Sequence, residues 1–409
     1  MAQKRYMTAQ EAAQTLDVRV ETIYAYVSRG LIRSEPAANG RARQRRYQAA
    51  DVRALQRRQA ERSDPSLAAQ DALHFGTPVL DSAICLIADG QLYYRGRAAT
   101  ELAATASFEQ VAGLIWQGDL HDQFAAYPGQ VTLAPEMLAS GAGSLSILQR
   151  FQAILPVAAA ADPGAYDLRP AGVQRTAIRI LRLLVRVAAG QSADMRQPLP
   201  QILATGWGHI RPEAAELLRA ALILCADHEL NASSFTARVV ASTRANPYNV
   251  VQAGLAALSG SLHGANTERV WAQLQEIGEP AQAEAVLTAR LRRGDQLEGF
   301  GHKLYPQGDP RARYLLNAIR EAYPDSPYVA LGAAMCTAAA GLIEEEPTVD
   351  VALVVLAGAL GLPAGSPLAI FALGRTVGWI GHALEAYASQ PLIRPRARYT
   401  GILPEEGRS

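Results

Sequence analysis

The chain has 409 residues, 49% hydrophobic and 19% charged, with a net charge of +1. That length and balance exclude a disordered or collagen-like chain and allow two or three domains, each with its own core. No run of 18 or more apolar residues occurs, which excludes a membrane-spanning helix, and Cys85, Cys225 and Cys336 are too few and too far apart for a zinc site or a disulfide framework.

The three cysteines therefore read as small core residues in a reducing compartment. The opening MAQKRYMTAQEAAQ carries no apolar signal segment, so a cytoplasmic location is expected. The near-neutral total hides an asymmetry. Residues 1–62 hold 13 Lys/Arg against 6 Asp/Glu, a net of +7, and the remainder carries −6. A basic head on an acidic body predicts an anionic partner for the head alone.

In chain order, Thr8 and Glu11 form a capping box ahead of Ala12, Ala13 and Leu16, which predicts a first helix. After the break Asp17-Val18-Arg19-Val20, a second helix is expected over Glu21–Arg29, with Gly30 as its stop. This is a helix-turn-helix pattern. A Gly-containing loop follows, then Arg41, Arg43, Arg45 and Arg46 before Tyr47, as in the hairpin wing of a winged helix, and Ala49–Arg62 reads as a closing helix. Ser63-Asp64-Pro65-Ser66 reads as linker, within a connecting segment 63–74. The segments MTAQEAAQTLDVRVETIYAYVSRGLI and RQRRY resemble the MerR/excisionase-type DNA-binding module. The resemblance implies that Arg19, Thr22 and Tyr24 face the major groove of duplex DNA, and that Arg43, Arg45 and Arg46 hold phosphates. The competing reading is a small dimerisation or docking module whose arginines are a solvated face.

The body opens with SAICLIADGQLYYRGR, two short apolar runs around Asp89-Gly90, a strong hairpin signal. Helices are then expected in succession, among them Ala214–Asp227, Val329–Glu344, Asp350–Leu360 and Pro367–Ser389. No GxGxxG or P-loop motif appears, which argues against a nucleotide-dependent α/β fold.

Of the seven histidines, His74, His121, His209 and His382 sit in unremarkable contexts. His228 in ADHELNASSFTARV, His263 in LSGSLHGANTERV and His302 in GFGHKLYPQGDPRARYL lie among small and polar residues, and glycines flanking the last two permit close approach of a ligand. No HxxxH or HxH spacing points to metal. Arg311, Arg375, Arg394 and Arg396 are separated arginines suited to a small polycarboxylate, which a guanidinium binds bidentately. Asp350 stands just before a strongly apolar helix, where desolvation would raise its pKa and make it a base, unless it serves only as a cap.

Five motifs in order, SAICLIADGQLYYRGR, DHELNASSFTAR, LHGANTERV, GFGHKLYPQGDPRARYL and RTVGWIGHALE…LIRPRARYTG, resemble the citrate synthase family over residues 75–402. The resemblance implies a mainly α, two-domain helical fold, with a small domain at roughly 255–350, a homodimer, and an active site in the interdomain cleft. It implies that oxaloacetate and a short acyl-CoA condense to citrate, with CoA released and no cofactor beyond the thioester itself. Asp350 then matches the base, His263 the donor to the developing enolate, and His302 the group that polarises and protonates the ketone. His228, Arg311 and Arg375 match oxaloacetate contacts, and Arg394 the arginine lent by the other subunit. Gly299, Gly301 and Lys303 would lie near CoA. Three departures fall on the acyl-CoA side: His-Gly-Ala-Asn-Thr-Glu at 263–268, Val351-Ala352-Leu353-Val354-Val355 after the base, and Pro306 where a basic residue is common. A pocket reshaped in this way would suit propionyl-CoA and yield 2-methylcitrate. The alternatives are a metabolite-sensing, DNA-binding regulator on the same fold, and a related carbon–carbon lyase running the adduct backward.

Overall fold

The computed structural model describes residues 6–36, 45–53, 55–56, 80–122, 124–125, 127, 145–190, 194, 196–389 and 391–402. It divides into two compact units, Met1–Asp81 and Ser82–Ser409. Arg41, Arg43, the linker 63–74 and the expected start of the body at 75 lie outside the described residues.

In the first unit, β1 (Tyr6–Met7) leads into α1 (Ala9–Leu16), and the Thr8–Glu11 capping box forms as expected. α2 (Val20–Ser28) is capped by Arg19, and Gly30 at φ 71° turns the chain out of it. β2 (Ser34–Pro36) and β3 (Arg45–Gln48) make the expected antiparallel hairpin, and β1 adds to the far edge of β3. Residues 49–53 and 55–56 are helical. Ala12, Leu16, Ile23, Ile32, Tyr47 and Val52 form a core of this unit's own.

The second unit opens with β4 (Cys85–Ala88) and β5 (Gln91–Tyr94), paired Cys85 to Tyr94 and Ala88 to Gln91, with β6 (Arg97–Ala98) beside them. Asp89 and Gly90 both have positive φ, 51° and 71°, as a tight two-residue turn requires. Helices follow: α3 (Ala99–Thr105), α4 (Phe108–Gln117), α5 (Ile147–Ala160), α6 (Pro170–Ala189), α7 (Leu199–Gly206), α8 (Pro212–Leu224), α9 (Ala232–Ser242) and α10 (Pro247–Leu258). Then come α11 (Asn266–Ile277), α12 (Ala283–Arg293), α13 (Pro310–Ala322), α14 (Pro327–Ile343), α15 (Val349–Leu360) and α16 (Ser366–Ser389). α8 ends three residues short of the expected Asp227, so Cys225–Asp227 forms a turn rather than helix.

α16 is the spine. It packs on α8, α9, α10 and α6, and its Trp379 seats against Gly254 of α10, where a Cβ would lie 2.5 Å from the indole. Most of its length is buried, with Arg375 and His382 among the charged or polar exceptions on an otherwise apolar helix. A second group packs together, with α13 on α15, α11 on α15, and α12 and α15 on α14. It meets the first through α15 on α16 and α13 on α8. One continuous core runs through both groups. No helix among the described residues is long and apolar enough to cross a membrane.

Candidate active site

The site forms where the two helix groups meet, and each side chain is placed by a local device. Asn231 caps α9, its Oδ1 accepting the Ser233 and Ser234 amides at 3.1 Å each, which sets His228 just upstream and Ser233 on the first turn. His263 sits in a tight turn before α11, closed by its amide donating to the Gly260 carbonyl. Asp309 caps α13 and holds Arg311 in a two-pronged ion pair, Nε to Oδ1 at 2.9 Å and Nη2 to Oδ2 at 2.8 Å. The same Oδ2 accepts the Val349 amide at 3.0 Å, so Asp309 ties the His302 loop to the start of α15, where Asp350 stands.

The structure brings together His228, His263, His302, Arg311, Asp350 and Arg375. The rings of His228 and His302 lie 5.2 Å apart, and Tyr305 lies within 5.5 Å of both. The Tyr305 hydroxyl meets His228 Nε2 at 3.0 Å. Arg311 lies over Tyr305, and Arg375 lies 4.6 Å over the Phe371 ring, whose other neighbour is His263. Arg375 gives Nε to the Cys225 carbonyl, while its buried Nη2 has no partner. Nη1 of Arg311 likewise stays outside the Asp309 pair.

One tautomer follows from these contacts. His302 Nδ1 accepts the Leu304 amide at 3.1 Å, so the neutral ring carries its hydrogen on Nε2. Burial, then the charge of Arg311, pushes its pKa down to about 4, so it is neutral at pH 7. His263 Nε2 lies 2.8 Å from the Ser233 hydroxyl, which also receives the Trp379 indole N–H at 3.2 Å. The Ser233 hydroxyl also meets Asn231 Oδ1 at 2.9 Å, so its one hydrogen has two acceptors within reach, Asn231 and His263. Burial, then Arg375, lowers the His263 pKa to about 4 as well. Burial also raises the Asp350 carboxyl above the ordinary carboxylate range, against hydrogen bonds from Asn266 and Thr348 and the charge of Arg311. The arrangement offers a strengthened base, two neutral imidazole donors and two buried guanidiniums with donors in reserve.

Other expected residues stand apart. Arg394 lies on the extended segment after α16, exposed, and has no hydrogen bond or ion pair among the described residues. Gly299 and Gly301 take positive φ, 84° and 76°, but the Gly299 carbonyl accepts the Thr348 amide and the Gly301 amide donates to Glu346. Those backbone groups are therefore spent on the chain, and Lys303 is exposed beside them. In the first unit, Arg19 and Tyr24 are exposed and Thr22 is half-buried. Arg46 pairs with Glu35 at 2.8 Å and lies over Tyr6, and Arg45 donates to Ser34.

Sequence reasoning missed Ser233, Tyr305, Asp309, Asp227 and His382. Asp309 and Tyr305 were within a quoted motif, and their signal was proximity to Arg311 and His302. His382, set aside as unremarkable, is fully buried and lies 3.3 Å from Asp227; its spacing of seven from Arg375 places both on one helix face.

The family model for the citrate synthase C-terminal domain matches residues 73–396, and that for a helix-turn-helix domain matches 6–60. "Citrate synthase 2" of Bacillus subtilis is 31% identical over 80% of this chain and 94% of its own. "2-methylcitrate synthase" of Mycobacterium tuberculosis is 32% identical over 76% of this chain and 84% of its own. The crystal structure of citrate synthase from Pyrobaculum aerophilum superposes with a TM-score of 0.70 at 27% identity, covering 80% of this chain and 91% of that one.

Proposed function

The chain belongs to the citrate synthase family, and from that premise we propose how its site condenses a short acyl-CoA with oxaloacetate to citrate or 2-methylcitrate, releasing CoA. Asp350 takes a proton from the acyl α-carbon, aided by the burial that strengthens it as a base. Negative charge then develops on the thioester oxygen, and His263 donates to it from its ring N–H. Such a donor is worth most where it meets charge present mainly in the transition state. The α-carbon attacks the oxaloacetate ketone carbon while His302 Nε2–H polarises the ketone oxygen and supplies its proton. His228, Arg311 and Arg375 hold the carboxylates. Water then cleaves the thioester.

The observation that carries this reading is the combination of two buried guanidiniums with a carboxyl raised in pKa. The first recognise a dicarboxylate, and the second has a use only if a proton moves. A sensor without turnover needs only the guanidiniums. Thiol release from acetyl-, propionyl- and butyryl-CoA, with and without oxaloacetate, tests it. Oxaloacetate-dependent release with at least one is expected, and none with any of the three refutes it.

We further infer a homodimer in which Arg394 enters the partner's site, supported by its exposure and by its having no partner among the described residues. Mixing inactive Arg394→Ala and Asp350→Asn chains should restore activity, because one site per heterodimer keeps both residues. Absence of recovery in verified heterodimers places Arg394 elsewhere. The first unit we read as a duplex-DNA module, supported by its net +7 and by the exposed Arg19 and Tyr24 at and within α2. Retention of duplex DNA that weakens steeply with salt supports it, and no retention at low salt overturns it.

A further inference from the structure

Behind the substrate pocket lies a chain of buried polar groups that the condensation does not use. Asp227, immediately before His228, is fully buried, and neither carboxylate oxygen has a hydrogen-bond partner among the described residues. His382 presents Nε2 to Asp227 Oδ1 at 3.3 Å, and its Nδ1 lies 3.2 Å from Arg238 Nη1. A guanidinium only donates, so Nδ1 accepts and the neutral ring carries its hydrogen on Nε2, facing Asp227. Arg238 is anchored by Glu385 at 2.6 Å, and Glu385 in turn accepts the Ala83 amide at 2.8 Å. Gly378 lies on α16 between Arg375 and His382. Its amide donates to the Ala226 carbonyl, and a Cβ there would collide with the Asp227 carboxylate. Asp227 is thus held hard against α16.

Arg375 is buried, and burial of an unbalanced guanidinium is expensive. Among the charges acting on it, Asp227 is the strongest that favours its charged form. Yet Asp227 does not bond to the free Nη2. We infer that Asp227, oriented by His382, is the resident counter-ion of Arg375: it neutralises the guanidinium in the empty site while leaving its substrate-binding donor unoccupied. The inference rests on the reading of Arg375 as an oxaloacetate anchor. Asp227 and His382 act here as positioning residues and touch no substrate.

This arrangement has a signature that a merely structural role lacks, because two variants of one network shift affinity in opposite directions. Asp227→Asn keeps the shape and can still face His382 with its amide oxygen, but removes the negative charge that the incoming dicarboxylate must approach. The empty protein should melt at lower temperature, while oxaloacetate binds more tightly, on the order of tenfold, and gives a larger thermal shift. His382→Leu frees Asp227 to swing onto Arg375 Nη2 and compete with the substrate, so oxaloacetate should bind more weakly by a similar factor. Calorimetric titration of the full chain with oxaloacetate alone reads both without turnover, with Arg375→Ala as control. Oxaloacetate affinity lowered in both variants, or changed in neither, overturns the inference. Should Asp227→Asn not fold, His382→Leu decides: unchanged affinity overturns the proposal and weakened affinity sustains it. An Arg375→Ala protein that keeps full oxaloacetate affinity overturns the anchor reading and this inference together.

Discussion

Two paired arginines of the first unit stand at its surface, whereas three arginines of the second are sunk in its interior. In the first, Arg33 and Arg46 form ion pairs at the surface, with Arg33 72% exposed against Asp51 and Arg46 39% exposed against Glu35. In the second, Arg238, Arg311 and Arg375 are at most 3% exposed. An exposed pair gains little, because water and salt screen it, so its arginine is readily traded to a phosphate. A buried guanidinium has paid its desolvation on folding and cannot leave its carboxylate without stranding a charge, so it keeps one geometry for a small ligand. The exposed pairs can exchange partners, and the buried ones hold a single arrangement.

The largest effect that sharpens this contrast is on chemistry. Asp350→Asn should lower turnover by about 10²–10⁴-fold while oxaloacetate affinity, which belongs to the arginines, persists. A variant within a few-fold of the parent would reduce Asp350 to a cap. Next is stability. Arg238→Ala strands Glu385 and should cost the body about 3–5 kcal/mol. All four tryptophans, at 116, 207, 271 and 379, lie in the body, so denaturation followed by their fluorescence reads it. Arg33→Ala in the first unit should change stability little, as read by hydrogen exchange. Similar losses at both positions would erase the distinction between the units.

On DNA, changing Arg43, Arg45 and Arg46 together to Ala should flatten the dependence of log affinity on log salt by up to about 0.9 per lost phosphate contact, without altering CoA release. An unchanged slope would remove the wing from the interface. The smallest effect is with pH. His263 and His302 have folded pKa values of about 4 against an ordinary 6.5. Between those values the unfolded chain binds protons that the folded chain refuses, so the contribution of these two rings to stability falls as pH drops from about 6.5 to 4 and levels off below. Urea midpoints read by tryptophan should show that slope, reduced by roughly one proton in His302→Gln. An identical slope in the variant would show that His302 is not held neutral by the fold.

Much of this was legible in residues a few positions apart. Thr8 and Glu11 specify a helix start, Asp89-Gly90 a hairpin turn, and Gly30 a helix exit, because each acts through hydrogen bonds and dihedrals within its own segment. His228, His263, His302 and Asp350 were visible as residue types in motifs, and the apolar run after Asp350 already implied burial. What lay beyond the sequence was convergence. His382 meets Arg238 across 144 positions and Trp379 meets Ser233 across 146, and no local pattern encodes such contacts. The pairing of the 299–301 backbone with residues 346–348 was equally invisible, being a long-range bridge between two loops.

By itself, then, the chain order determined the helical class, the basic head, the hairpin and the chemical inventory of the site, since these depend on composition, periodicity and neighbours. Only the tertiary structure decided which nitrogen of His302 bears hydrogen, which donor of Arg375 stays unpaired and where Asp227 finds its counter-charge. Those outcomes depend on burial and on distances of about 3 Å between segments remote in sequence, where removal from water makes each hydrogen bond and each charge decisive.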